Sequence, residues 1–157
     1  MKLVSSAFED TTPIPPEYTC DGNNINPPLS IQTAPPGTKS FTLIMSDPDA
    51  PGEIWIHWTM WNIPPDTSEI AAGISPKNAS IPGTSNIARH AVEGTTSFNT
   101  KGYGGPCPPS GTHRYIFRLY ALDIPLNIPL TSRVFQIEEA MRGHVLGDAS
   151  LMGTYSK

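Results

Sequence analysis

Three segments of the chain carry the hydrophobic patterns of β-strands. The run from Ser40 to Ser46 is almost continuously apolar, which predicts a strand buried on both faces. Residues Ile54 to Ile63 predict a second strand, which Pro64 and Pro65 end. The alternation from His113 to Leu122 predicts a third and longer strand.

Alternation also predicts which side chains share a face. In the second strand, one face carries Trp55, His57, Thr59 and Trp61, and the other carries Ile54, Ile56, Trp58, Met60 and Asn62. In the third strand, His113 shares a face with Tyr115, Phe117, Leu119 and Ala121. His113 and Tyr115 are therefore expected to face the same site.

One helix is predicted, from about Arg133 to Val145, with Thr131 or Ser132 as its N-cap. Its core-facing stripe is Val134, Ile137, Ala140, Met141 and Val145. Residues 10–29 are expected to form a loop, and residues 66–112 mostly loop with short strands. The predicted class is mainly β with short helices and a C-terminal helix.

Composition agrees with many short strands joined by ordered loops. The 157 residues suffice for one domain, 1–157, and include 18 prolines and 13 glycines. A net charge of −4 without a run of Lys or Arg argues against a nucleic-acid surface. The N-terminus lacks the apolar core of a signal peptide, and no apolar run reaches membrane length. We therefore expect a soluble, cytoplasmic protein that does not span a membrane.

The two cysteines, Cys20 and Cys107, are too few for a disulfide scaffold. They also lack the CxxC spacing of zinc sites and redox motifs. We expect two reduced thiols, and no nucleophilic role is indicated for Cys107.

Ionisable residues cluster at the ends of the predicted strands. Asp47 and Asp49 follow the first strand, His57 lies in the second, and His113 begins the third. If these strands are neighbours, the four side chains converge at one end of the sheet. The glycine-rich loop 102–112 adds backbone amides that can surround an anion, and imidazoles can add positive charge. This combination predicts a site for a phosphate ester, with Tyr103, Tyr115, Trp55 and Trp58 as candidate walls.

Other interpretations of the same residues remain open. The Asp-Pro-Asp segment is also ordinary turn chemistry, and Asp49 and Arg114 are candidates for a buried structural ion pair. A hydrolase could use Asp47, Asp49, His57 and His113 as metal ligands or as acid and base, although compact metal-binding spacings are absent. An inhibitor acting on a protease or kinase through a surface loop is a third possibility.

Three motifs in order resemble the phosphatidylethanolamine-binding protein family, also called the Raf kinase inhibitor protein family. They are Ser46-Asp-Pro-Asp-Ala-Pro51, Trp55-Ile-His-Trp58 and Gly104-Gly-Pro-Cys-Pro-Pro-Ser-Gly-Thr-His-Arg-Tyr115. The segment Ala140-Met-Arg-Gly-His-Val-Leu-Gly-Asp-Ala-Ser-Leu-Met-Gly-Thr-Tyr155 is similar to the family's C-terminal region. The segment Cys20-Asp-Gly-Asn-Asn24 is similar to shorter bacterial and archaeal members.

The resemblance implies a β-sandwich, with a large antiparallel sheet packed on a smaller sheet, and a small anion pocket beside the chain end. Asp47 and His57 match the family's phosphate-contacting residues, and Gly105 and Tyr115 match residues that complete the pocket. The residues matching its rim and support are Pro51, Pro106, Pro108 and His113. The resemblance also implies a cis peptide bond, for which Ala50-Pro51 is the candidate.

As a function, the resemblance implies non-catalytic binding of phosphate, a phospholipid headgroup or another phosphorylated ligand, without a metal or redox cofactor. Modulation of protein kinases or other signalling proteins is the further expectation. The chain between Pro51 and His57 is shorter than in animal members, so their kinase partners transfer less well than the pocket. Aromatic and proline-rich loops are compatible with a homodimer.

Overall fold

The computed structural model describes residues 1–75 and 91–157, which form two β-sheets and a helix. The strands, numbered in chain order, are β1 (Lys2–Val4), β2 (Thr12–Pro13), β3 (Leu29–Gln32), β4 (Ser40–Asp47), β5 (Trp55–Ile63), β6 (Glu69–Ile70), β7 (Val92–Glu93), β8 (Thr112–Leu122) and β9 (Val145–Ser156). The helix α1 spans Val134–Met141, and a 3₁₀ turn spans Pro16–Tyr18. The mainly β class and the C-terminal helix are confirmed.

The larger sheet has the order β2-β9-β8-β4-β5-β7, and the smaller has the order β1-β3-β6. Strands β9, β8, β4, β5 and β7 pair in antiparallel fashion, whereas β2 runs parallel to β9, which makes the larger sheet mixed. The three strands predicted from the sequence are β5, β4 and β8, and they are direct neighbours. Their ends can therefore contribute to one site.

The main core lies between the two sheets. Leu3, Leu29 and Ile70 of the smaller sheet belong to one buried cluster with residues of the larger sheet, namely Phe41, Leu43, Met45, Trp58, Met60, Tyr115, Phe117, Leu119 and Ala121. The prediction that Tyr115, Phe117, Leu119 and Ala121 share one face of β8 is therefore confirmed, and this face points towards the smaller sheet. Ser40 to Met45 are all buried, which agrees with a strand covered on both faces.

Helix α1 covers the other face of the larger sheet, where Ile137 and Met141 cluster with Ile44, Trp61 and Leu122. The helix is shorter than predicted, because Gly143 has a φ of 81° and Val145 already begins β9. Its N-cap is Arg133, whose backbone N–H donates to Gln136 Oε1 at 2.7 Å. Thr131 and Ser132, the predicted caps, precede this N-cap, and the Ser132 hydroxyl donates to Pro129 O at 2.6 Å.

Most of the predicted loop 10–29 is irregular, apart from β2 and the 3₁₀ turn. The part of segment 66–112 from 76 to 90 lies outside the described residues. The expected cis bond at Ala50-Pro51 is wrong, since the described residues contain no cis peptide bond. Gly52, with a φ of 89°, reverses the chain in this turn instead. Within residues 1–75 and 91–157, no helix has the length and apolarity needed to cross a membrane.

The expectation of two reduced thiols is also wrong, because Cys20 and Cys107 form a disulfide with their Cα atoms 5.5 Å apart. The bridge joins the loop before β3 to the loop before β8. The Cys20 N–H also donates to Pro106 O at 3.1 Å, so the two loops are held together by backbone contact as well. Cysteine count and spacing do not reveal such a distance, because 87 positions separate the two residues.

Reducing the disulfide should lower the free energy of unfolding by about 2–4 kcal/mol, because the open chain gains conformational entropy when it unfolds. Urea denaturation with and without dithiothreitol measures this difference. The Cys20→Ser/Cys107→Ser double variant is the control and should be as stable as the reduced protein and insensitive to the reductant. An unfolding midpoint of the native chain that does not respond to full reduction would contradict the prediction.

Candidate functional site

A β-bulge in β5 sets the direction of His57. Met45 pairs with Trp58 and Ser46 pairs with Ile56, so His57 is an extra residue without a partner position in β4. The bulge interrupts the alternation predicted for this strand. The prediction that His57 shares a face with Trp61 is therefore wrong. His57 instead contacts Tyr115 in the core between the sheets, with ring centroids 5.2 Å apart.

Asp47 and His113 form a buried pair at the ends of β4 and β8. His113 Nδ1 lies 2.7 Å from Asp47 Oδ2, and the two residues are 7% and 3% exposed. Asp47 Oδ1 accepts a second hydrogen bond from the Asp49 N–H at 2.8 Å. Both carboxylate oxygens are therefore occupied, and Asp47 fixes the orientation of the His113 ring.

The glycine-rich loop 102–112 holds the side chain of His57 in place. His57 Nδ1 lies 2.6 Å from Gly104 O, and the Gly104 N–H donates to His57 O at 2.9 Å. A carbonyl oxygen only accepts, so Nδ1 of His57 must carry a proton. The imidazole of His57 is thereby held in one tautomer and one orientation.

Tyr115 lies between the two imidazoles. Its ring is 5.2 Å from that of His57 and 6.5 Å from that of His113. The Tyr115 hydroxyl is buried near the Asp47 carboxylate and the Cys107 backbone, but no group in the described part of the chain makes a hydrogen bond of good geometry with it. Burial, followed by the charge of Asp47, raises the pKa of Tyr115 well above its ordinary value. The hydroxyl therefore keeps its proton and remains a donor.

The predicted anion-binding concavity of loop amides is not formed by residues 103–105. Their N–H groups donate within the protein, from Tyr103 to Ser75 Oγ at 2.7 Å, from Gly104 to His57 O at 2.9 Å, and from Gly105 to Asn24 Oδ1 at 2.7 Å. A glycine is nevertheless needed at position 105, because the Cβ of any other residue would lie 2.5 Å from Tyr18 O and clash with it. Its role in the structure is close packing of two loops.

The three prolines expected around the site occupy different environments. Pro106 and Pro108 are buried in the loop that carries Gly105, and Pro106 O accepts the hydrogen bond from Cys20. Pro51 lies in the exposed turn between β4 and β5. Of the other candidate wall residues, Trp58 and Tyr103 pack edge to face in the core with 0% and 1% exposure, so neither borders the site from solvent.

Asp49 and Arg114 form the expected ion pair, but it is exposed rather than buried. Two guanidinium N–H groups, Nε and Nη2, each donate to one Asp49 oxygen at 2.9 Å, and the Arg114 backbone N–H donates to Oδ2. The side chains of Arg114 and Asp49 are 53% and 30% accessible. These hydrogen bonds from Arg114 lower the pKa of Asp49 to about 2. The pair fixes the turn after Asp47 against β8.

The hydrolase alternative required Asp47, Asp49, His57 and His113 to act as one group. Asp49 is instead directed to Arg114, and His57 is directed to Gly104. In the part of the chain that is described, no three His, Cys, Asp or Glu side chains are grouped closely enough to hold a metal ion. The observed cluster is thus an Asp–His pair, a second imidazole and a phenol.

Two residues of the site region escaped the sequence analysis. Asn24 has a φ of 56° and ties the N-terminal loop to Gly105 through its side chain. Phe98 packs edge to face on His57, with ring centroids 5.2 Å apart. Asn24 entered the sequence analysis only within the motif Cys20-Asp-Gly-Asn-Asn24, and the contact partners of both residues are distant in sequence. Only the folded chain reveals these two contacts.

The fold agrees with comparisons to known proteins. The sequence profile of phosphatidylethanolamine-binding protein matches residues 4–156. The chain therefore belongs to the phosphatidylethanolamine-binding protein family, as its motifs indicated. Membership of this family supports a binding role.

Relatives cover the full length of the chain. A UPF0098 protein of Methanothermobacter thermautotrophicus is 46% identical over 157 residues, which are 100% of this chain and 99% of the relative. A phosphatidylethanolamine-binding protein homologue of Chlamydia trachomatis matches in structure with a TM-score of 0.88 and 40% identity, covering 99% of this chain and 97% of its own. YbcL of Escherichia coli matches with a TM-score of 0.88 and 27% identity, covering 99% and 98%.

Removing the Asp49 carboxylate should cause a small loss of stability that depends on pH. The folded pKa is depressed from 3.8 to about 2, so the contribution of Asp49 is present above its ordinary pKa and disappears as the pH falls towards about 2. Asp49→Asn should therefore be less stable than the native chain at pH 6, with the difference shrinking between about pH 4 and pH 2. Urea denaturation across this range measures it.

Asp148→Asn is the matched control, because it removes an exposed carboxylate that pairs with Arg118 away from the site. It corrects for the loss of one negative charge. A stability difference for Asp49→Asn that stays constant down to pH 2 would contradict the assigned ion pair.

Proposed function

We propose that this protein binds a phosphate group, free or as part of a phosphorylated ligand, at the cluster of Tyr115, His57 and His113. The observation that carries the proposal is the buried Tyr115 hydroxyl, which makes no hydrogen bond of good geometry with the nearby Asp47 carboxylate, the Cys107 backbone or any other described residue. Its ring contacts both imidazoles. Leaving a buried donor unsatisfied costs about 1–3 kcal/mol. A ligand oxygen that accepts from this hydroxyl removes the cost.

The two imidazoles supply the charge that an anion requires. Nδ1 of His57 faces a carbonyl and Nδ1 of His113 faces a carboxylate, so both Nδ1 atoms act as donors. Each Nε2 then carries a proton only when its ring is positively charged. Binding of an anion and protonation of these rings are therefore coupled.

Asp47 has a positioning role in this proposal rather than a direct contact with phosphate. Both of its oxygens already accept hydrogen bonds, and a free carboxylate would repel the ligand. The pair of Asp47 with a charged His113 is neutral overall. The positive charge that attracts the anion is then that of the protonated His57 ring. Gly105, Pro106 and Pro108 hold the loop that orients His57, and Pro51 belongs to the turn at the rim.

Family membership supports a binding role of this kind, and a phospholipid headgroup or a phosphorylated side chain would present the same phosphate group. Action on kinases or proteases would require a further surface, and no contact in the described residues favours one. The proposal is accordingly limited to the phosphate group and the residues that hold it.

Tyr115→Phe should weaken binding of inorganic phosphate about 10-fold, because it removes one hydrogen bond to a charged ligand. The same substitution should leave the stability of the empty protein unchanged or slightly higher, since the lost hydroxyl has no partner there. Isothermal titration and urea denaturation measure the two effects.

Tyr120→Phe is the control for Tyr115→Phe, because Tyr120 lies on the opposite face of β8 beside Arg118. It should not change phosphate affinity. Equal affinities of the native chain and Tyr115→Phe would reject the proposed role of the hydroxyl, and a native chain that does not bind phosphate would reject the function.

Affinity for an anion of constant charge should fall as the pH is raised from acidic to mildly alkaline, because an imidazole that loses its charge no longer attracts the anion. Dimethyl phosphate is a suitable probe, because it keeps one negative charge across this range, whereas inorganic phosphate changes its own charge. Isothermal titration at several pH values measures the trend. The trend should be weaker in His57→Gln, and a flat profile for the native chain would contradict charged imidazoles as ligands.

A further inference from the structure

A short turn next to the site carries an aromatic residue that the phosphate proposal does not use. We call residues 95–101 the Phe98 turn. Thr95 and Lys101 pair at its base, and the Thr96 N–H donates to Thr100 O at 3.0 Å. Asn99 has a φ of 59°, which closes the turn. Phe98 lies at its tip with 38% of its surface exposed.

The Phe98 turn is fastened to β5 directly beside His57. The Ser97 N–H donates to Ile56 O at 3.0 Å, and the Ile56 N–H donates to Ser97 Oγ at 2.9 Å. Ile56 precedes the bulged His57. The position of the turn is therefore coupled to the position of the imidazole.

Arg133, at the start of α1, fastens the turn from the other side. Its Nη1 donates to Thr96 O at 3.2 Å, and its Nη2 donates to Asn99 Oδ1 at 2.7 Å. These two bonds flank Phe98 in sequence. The turn that carries the exposed Phe98 is thus held by hydrogen bonds to both β5 and the start of α1.

Phe98 contacts the two aromatic residues at the beginning of β5. Its ring lies edge to face with that of Trp55 at 5.4 Å and with that of His57 at 5.2 Å. It also covers Gly104, where a Cβ would lie 2.4 Å from the Phe98 ring. Exposure falls along the row of contacting rings, from 38% at Phe98 to 3% at His57 and 0% at Tyr115. The row therefore leads from solvent to the proposed phosphate position.

We propose that Phe98 and Trp55 form an apolar wall that selects phosphate esters with a flat aromatic substituent, and that Arg133 is a positioning residue for this wall. The inference rests on the proposed function, because the phosphate must be held near His57 and Tyr115. The substituent of such an ester extends from the phosphate towards solvent, along the side on which Phe98 and Trp55 lie. Aromatic rings there gain burial and edge-to-face contacts, whereas a methyl group gains little.

The test compares inorganic phosphate, methyl phosphate and phenyl phosphate by isothermal titration at pH 7. The two esters carry a similar net negative charge at this pH, because both are phosphate monoesters whose second pKa lies near 6. The native chain should bind phenyl phosphate about 10-fold more tightly than methyl phosphate. Phe98→Ala and Phe98→Leu should abolish this preference, so that the ratio of the two ester affinities falls to about 1, whatever change both affinities share. Phe98→Tyr keeps the ring and should retain the preference.

Phe135→Ala is the matched control, because it removes an exposed phenylalanine that belongs to α1 and not to the Phe98 turn. It should leave the preference intact. Arg133→Ala should reduce the ratio of the two ester affinities, whereas a purely structural role of Arg133 would lower stability or both affinities without changing their ratio. An unchanged ratio in Arg133→Ala would remove Arg133 from the proposal.

The results separate this inference from the function on which it rests. A native chain that binds none of the three ligands overturns the phosphate function. A chain that binds phosphate and methyl phosphate without preferring phenyl phosphate overturns the aromatic wall and leaves the function in place. A preference that persists in both Phe98→Ala and Phe98→Leu also overturns the wall.

Discussion

The register of β4 against β5 is the constraint on which the site depends. Met45 pairs with Trp58 but Ser46 pairs with Ile56, so the strand accommodates His57 as an extra residue. Without this bulge, alternation would keep His57 on the face of Trp61, under helix α1 and away from Tyr115. The same antiparallel register, extended to β8, brings His113 and Tyr115 to the end of β4 where Asp47 lies. A local irregularity in β5 therefore adds His57 to residues that the regular pairing of β4 and β8 already brings together.

The loops around these strand ends are held by covalent and hydrogen-bond contacts rather than by regular structure. The disulfide and the bond from Cys20 to Pro106 O join the N-terminal loop to the glycine-rich loop. The bond from Gly105 to Asn24 adds a third connection between them. Because the N–H groups of Tyr103, Gly104 and Gly105 donate within the protein, this part of the loop holds His57 in place. The contacts that hold the loop in place therefore also fix the orientation of the His57 imidazole, through its two hydrogen bonds with Gly104.

Sequence patterns predicted the parts of the structure that depend on local chemistry. Continuous or alternating apolar residues identified β4, β5 and β8 nearly to their ends, and the inner face of β8 was correct throughout. The face of His57 was wrong because a bulge changes the phase of alternation without a clear sequence signal. The disulfide and the contacts of Asn24 and Phe98 were missed for a related reason: their partners are distant in sequence. Motif resemblance compensated in part, because it indicated the family and its arrangement of two packed sheets.

In the proposed function, the charge that an anion meets depends on how many imidazoles of the cluster carry a second proton. With both imidazoles neutral, Asp47 gives the cluster a net charge of −1, which repels phosphate. One charged imidazole makes the cluster neutral, and two give it a charge of +1. The exposed Asp49–Arg114 pair adds no net charge to this count. In the proposed function, the Tyr115 hydroxyl remains a donor and marks where a ligand oxygen is held, and the imidazoles set the charge that a negative ligand meets there.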